Sequence, residues 1–234
     1  MTADALVYHP TYAHLLKYFA TTVGRDKLLR TVQYFSRFYA WYLYRTNNPQ
    51  SGITPWETAK KQIGIARKFL RLGKFLEHFK SAAVAADKKD IDPILKFCAV
   101  GRQLGYAGYL SLDNLCVLDA SGIRKWDKAK QISRQAARFW FSGLFFNIVA
   151  GLYTLFQLKQ RAAALDKTQA EKAVESKKIE KEWNATTLQL TSDLADICVP
   201  ATTLGWTNFD DGFVGLAGTL SSLLGVYSAW KKTA

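Results

Sequence analysis

Acidic residues are scarce in this chain. Against 32 Lys and Arg stand only 19 Asp and Glu among 234 residues, a formal net charge of +13. The partner surface is therefore expected to be anionic, and nucleic acid and acidic lipid headgroups both fit. Cysteine is nearly absent: Cys98, Cys116 and Cys198 are odd in number and form no CxxC pair. His9, His14 and His78 are scattered, so neither a disulfide framework nor a zinc site is suggested. There is no Gly-rich phosphate loop, no HExxH, no GxSxG and no carboxylate pair beside a plausible base. We expect no enzyme and no cofactor. Recognition-helix pairs, zinc fingers and RNP-like strands are missing too, which argues against nucleic acid as the partner. The first 25 residues carry Asp4, His9, Pro10, Lys17 and Arg25 instead of an uninterrupted apolar core, so export by a secretory signal is not expected.

Proline is rare, at 5 residues, while 49% of the chain is hydrophobic, a composition suited to ordered structure. No strand-like alternation or internal repeat is seen, and the class predicted is all-α. The predicted helices cover His9 to Ala20, Gly24 to about Thr46, Thr54 to about Ala86 and the Asp90–Pro93 stretch to about Leu118, with a loop over Asn47 to Thr54. Thr54-Pro55 with Glu57 reads as a capping box. Residues 159 to 187 read as a solvated helical extension.

Charge is distributed in blocks. Residues 1–138 hold 23 basic and 10 acidic residues, 159–212 hold 7 and 9, and Lys231 and Lys232 follow Trp230. Between the first two blocks lies FWFSGLFFNIVAGLYTLFQL, residues 139–158, with no charge at all. Twenty residues at about 1.5 Å each match a bilayer core of about 30 Å. A second uncharged run covers 213–230. These runs divide the chain into a basic region, 1–138, and a membrane-anchoring region, 139–234. They suggest a two-span hairpin with its basic N-terminal part and Lys tail in the cytosol and its acidic loop in a lumen. Two buried helices of a soluble bundle are the alternative.

Two periodic patterns stand out. At 100° per residue, Ile65, Phe69, Leu72, Leu76 and Phe79 fall in a stripe about 80° wide. Arg67, Arg71, Lys74 and His78 take the opposite face. Such a helix can lie in the headgroup plane of an anionic membrane or turn its apolar face to a protein core. In the last helix, Ala217, Ser221, Gly225 and Ala229 recur every four residues, a candidate packing or self-association face.

The segments LVYHPTYAHLLKYFATTVGRDKLLRTVQYFSRF, RKFLRLGKFLEHFK, YLSLDNLCVLDASGIRK and GLAGTLSSLLGVYSAWKK occur in that order. On them the chain resembles a fungal member of the peroxin-eleven family of peroxisomal membrane proteins. The resemblance implies a membrane-associated helical bundle with an amphipathic interfacial helix and transmembrane helices. It implies a protein that elongates the peroxisomal membrane before dynamin-like GTPases cut it. It carries membrane insertion to Ile65, Phe69, Leu72, Leu76 and Phe79, and headgroup contacts to Arg67, Lys68, Arg71 and Lys74. It further implies self-association, recruitment of fission GTPases and their adaptors, and binding to the import receptor for peroxisomal membrane proteins. Some members pass small metabolites, so an oligomeric pore, with Arg102 in an apolar region, is the alternative.

Overall fold

A computed structural model of the chain describes residues 8–164 and 170–234, without the side chains of 170–173. Residues 1–7, with the start of the LVYHP motif, and 165–169, within the predicted solvated extension, lie outside the described residues. Every regular element among the described residues is an α-helix. The helices form two compact units, Met1–Arg71 with Asn208–Ala234, and Leu72–Thr207. These units do not follow the 138/139 charge boundary, which falls inside one uninterrupted helix.

The first unit contains α1 (Pro10–Ala20), α2 (Thr22–Arg45), α3 (Gln50–Leu70) and α9 (Asp211–Thr233). Thr21 caps α2 by accepting from the Gly24 amide at 3.0 Å. Asp210 caps α9 by accepting from the Phe213 amide at 2.8 Å, so both helix starts satisfy an otherwise orphan donor. α2 is the spine of the unit, with α3 and α9 both antiparallel to it. On the α3 side Trp56 meets Tyr39 edge-on, ring centroids 4.7 Å apart, and Arg67 meets Asp26. On the α9 side Gly212 faces Trp41 and Gly218 faces Tyr34. The start of α3 differs from expectation. Pro49 is its N-cap and residues 50–54 are already helical, so Asn47–Thr54 is only in part a loop. Pro55 lies inside the helix, and the Thr54 hydroxyl donates back to the Gln50 carbonyl at 2.8 Å instead of capping.

The second unit contains α4 (Phe75–Asp87), α5 (Pro93–Leu115), the short α6 (Val117–Ala120), α7 (Ala129–Ala164) and α8 (Ala170–Leu204). Asp92, within the stretch where a helix start is expected, caps α5 with Pro93 at its first position, accepting from the Ile94 amide at 2.8 Å. α5 and α7 run antiparallel at close range. A Cβ added to Gly105 would come within 2.6 Å of the Gly143 backbone, so only glycine permits this crossing. Phe139 and Phe146 sit over Gly108 and Gly101 on either side of it.

α8 returns along the whole of α7. Arg161 pairs with Glu175 and Glu182 near its beginning, and Leu190 touches Gly151 midway. The Leu204 carbonyl accepts from Arg134 at its end. The expected acidic loop on one side of a two-span hairpin is therefore replaced by a helix that comes back to where α7 began. Past its middle it carries Asp193, which is 4% exposed. Asn147 donates to this carboxylate, and so does Gln189 at 3.0 Å.

Candidate functional site

Among the described residues two helices are long and apolar enough to cross a membrane, α7 and α9. Length and composition alone would also admit the core helix of a soluble protein, but a core helix hides its residues. In α7 only 11% of the apolar window is buried, and in α9 33%. Phe145, Leu152 and Phe156 point outward from α7; Phe213, Leu216, Leu220, Leu223 and Tyr227 do so from α9. Spacings of three, four and seven residues put each set on one helical face, an exposed apolar face.

The stripe from Ile65 to Phe79 is not one helix. α3 ends at Leu70 and α4 begins at Phe75. Between them Gly73 takes φ 75°, left-handed backbone that costs glycine little and other residues more. The predicted helix over 55–86 is thus two helices. Its apolar residues nevertheless face out on both sides of the break: Phe69 is 43% exposed on α3, and Leu72, Leu76 and Phe79 are exposed on the turn and α4. Ile65 is half-buried.

The cations behave in the opposite way. Lys68, Arg71 and Lys74 are half-buried and Arg67 is only 6% exposed. Arg67 Nε donates to Asp26 Oδ1 at 2.9 Å and its Nη1 to Gln33 Oε1 at 2.6 Å. As a headgroup contact Arg67 is therefore corrected: its guanidinium is held between α2 and α3. Burial pushes the Asp26 carboxyl up, but Arg67 and Arg71 outweigh it and hold the group below the usual carboxylate range. A soluble amphipathic helix buries its apolar stripe and exposes its charges; here the order is inverted.

The small-residue face of α9 is a packing face whose partner is α2 of the same chain. Ser221 accepts from Arg30 Nη1 at 3.1 Å, Gly225 lies against the Lys27 side chain, Ala229 is buried and Ala217 half-buried. A Cβ on Gly215 would fall 2.6 Å from the Phe38 nitrogen. As a self-association face it is therefore already occupied. Sequence reasoning missed the Asp26–Arg67–Gln33 cluster, although Asp26 is the single acidic residue of α2 and sits between Arg25 and Lys27. Among the described residues no group of three or more His, Cys, Asp or Glu could hold a metal ion.

Comparison with known proteins identifies the family. The family described as Peroxisomal biogenesis factor 11 (PEX11) matches residues 12–230. Peroxisomal membrane protein PMP27 of Saccharomyces cerevisiae is 29% identical over 100% of both chains. Peroxisomal membrane protein PMP30B of Candida boidinii is 28% identical over 100% of this chain and 99% of its own. Peroxisomal biogenesis factor 11 of Schizosaccharomyces pombe is 24% identical over 95% of this chain and 96% of its own. No solved structure matches. With nearly its whole length matched, the chain belongs to the peroxisomal biogenesis factor 11 family, non-catalytic proteins of the peroxisomal membrane.

Proposed function

We propose that this protein elongates the peroxisomal membrane by seating exposed apolar side chains of α3 and α4 in its outer leaflet, and so promotes division of the organelle. The observation that carries this reading is the inversion at residues 65–79, where Phe69, Leu72, Leu76 and Phe79 are exposed while Arg67 is buried. Apolar side chains seated in one leaflet expand that leaflet alone and favour curvature. Lys68, Arg71 and Lys74 supply the attraction to acidic lipid, and α7 and α9 anchor the chain, with the basic N-terminal region on the cytosolic side. Dynamin-like GTPases with their adaptors, the membrane-protein import receptor and a second copy of the chain are the partners this role requires.

The test is the full-length protein in vesicles rich in acidic phospholipid, viewed by electron microscopy. Wild type should draw tubules, and Phe69→Asp/Leu72→Asp should stay in the membrane without drawing them. Tubules from that variant would remove the stripe from the mechanism. A metabolite pore is less well supported, because the helix carrying Arg102 closes on α7 through Gly105 and Gly143. Small-dye efflux from the same vesicles decides it: efflux from round vesicles would favour the pore.

A further inference from the structure

The turn that leads into α7 is built differently from the rest of its unit. Ile123 is 70% exposed and Trp126 40% exposed, yet the turn is pinned. Asp119 Oδ1 accepts from the Trp126 amide at 3.3 Å, and the Asp119 carbonyl accepts from Lys125 Nζ at 2.8 Å. The Arg124 amide donates to the Leu118 carbonyl at 3.1 Å, and the Ala129 amide to the Trp126 carbonyl at 3.2 Å. Beside this held apolar tip and along the first turns of α7 come Arg124, Lys125, Lys128, Lys130, Arg134 and Arg138, opposed by Asp119 and Asp127. All six cations are exposed. Among the described residues Lys125 alone of the six has an ion-pair partner, Asp119.

The direction of these charges is informative. α7 turns Ala129, Ala136 and Ala137 inward. At 100° per residue Lys130, Arg134 and Arg138 fall within about 80° of the outward row Phe145, Leu152 and Phe156. The cations thus continue the lipid-facing row of the span. At about 1.5 Å per residue they lie roughly 2 to 14 Å outside its first apolar residue, Phe139, at the depth of a headgroup layer. Nucleic acid would not need cations in register with an apolar row; a bilayer edge does.

We infer that the segment from Leu118 to Arg138 is a second lipid-binding element, separate from the 65–79 stripe. It gathers acidic phospholipid headgroups around the foot of α7, with Ile123 and Trp126 set into the headgroup layer. The occupant is the acidic lipid of the bilayer that α7 crosses, and the inference rests on that crossing. The element fixes the depth of α7 and enriches acidic lipid beside the protein.

The experiment is electron spin resonance of spin-labelled phosphatidic acid and phosphatidylcholine around the full-length protein reconstituted in phosphatidylcholine. The wild type should show a motionally restricted lipid population that prefers phosphatidic acid, a preference weakened by salt. The preference should fall toward one in Lys128→Gln/Lys130→Gln/Arg138→Gln, which leaves Arg134 and its hydrogen bond to Leu204 intact. It should persist in Lys177→Gln/Lys178→Gln/Lys181→Gln, where the same charge is removed from exposed sites on α8. Ile123→Gln/Trp126→Gln should weaken it with no change in charge. An undiminished preference in the first variant, or an equal fall in the α8 variant, overturns the inference. So does competition by inorganic phosphate beyond that of chloride at equal ionic strength, since a free anion would then be the ligand. A wild type with no restricted lipid population at all would show instead that α7 does not cross, which removes the reading beneath it.

Discussion

Replacing Arg67 by alanine should damage the fold before it affects lipid binding. The guanidinium holds Asp26 through its Nε at 2.9 Å and Gln33 through Nη1 at 2.6 Å, and the two ionic side chains are 8% and 15% exposed. Removing one partner of such a pair strands the other, a loss of about 3–5 kcal/mol. The lower end is expected here, because Arg71 and Lys27 also act on the Asp26 carboxyl. Against a typical total of about 5–15 kcal/mol that loss is large. It should be read as an earlier melting of the detergent-solubilised protein, with Asp26→Asn/Arg67→Met losing less than either single change. The pH dependence has a definite sign. Asp26 is held below the usual carboxylate range, so the pair's stabilisation is complete above the unfolded value near 3.9 and is lost as pH falls through the lower folded value. If Arg67→Ala melts like wild type but loses affinity for acidic vesicles by about 1 kcal/mol, the amount expected of one headgroup cation, the buried placement of Arg67 is wrong.

Other changes separate the elements. Gly73→Ala should cost the interrupted form roughly 1–2 kcal/mol from its left-handed backbone alone, since no atom lies within 4 Å of the added Cβ. It should favour one continuous helix, with spin labels at residues 62 and 80 approaching about 27 Å; an unchanged distance would show that the break does not depend on this glycine. Gly215→Val should lower the melting temperature by overpacking worth about 1–3 kcal/mol against the Phe38 backbone, and wild-type melting would contradict the close α2–α9 crossing. Asp92→Ala removes the α5 cap together with the acceptor of Tyr153 Oη, at 3.0 Å, and Gln157 Nε2, at 3.1 Å. The lost cap should lower the midpoint of the same melting curve, and no loss would show the cap to be dispensable.

Local chemistry made much of this fold legible. The Asp90–Pro93 stretch marks a helix start in the sequence, and Asp92 within it is the cap in the structure. The uncharged runs lie in the two apolar, exposed helices. What stayed hidden were matters of partnership. The apolar period passes through residues 71–74 without interruption, so periodicity could not register that Gly73 breaks the helix. The four-residue repeat of small side chains on α9 shows that something approaches closely, but not that Tyr34 and Phe38 of the same chain do so. The return of α8 along α7 was obscured because the residues from 159 onward are charged. Contacts far from any apolar signal, such as the pairing of Arg161 with Glu175 and Glu182, show how that segment is placed.

The central claim is that the outward apolar rows meet lipid. It is tested most directly by labelling the reconstituted full-length protein with a photoactivated carbene carried on a lipid tail and mapping the modified residues by mass spectrometry. The account predicts label on Phe145, Leu152, Phe156, Leu216, Leu220 and Leu223, with Phe69, Leu76 and Phe79 labelled at shallower depth. Leu144, Leu158 and Val214, which are buried on the same helices, should stay unlabelled. Equal labelling of both faces, or none on either together with release of the protein by alkaline carbonate, would contradict it.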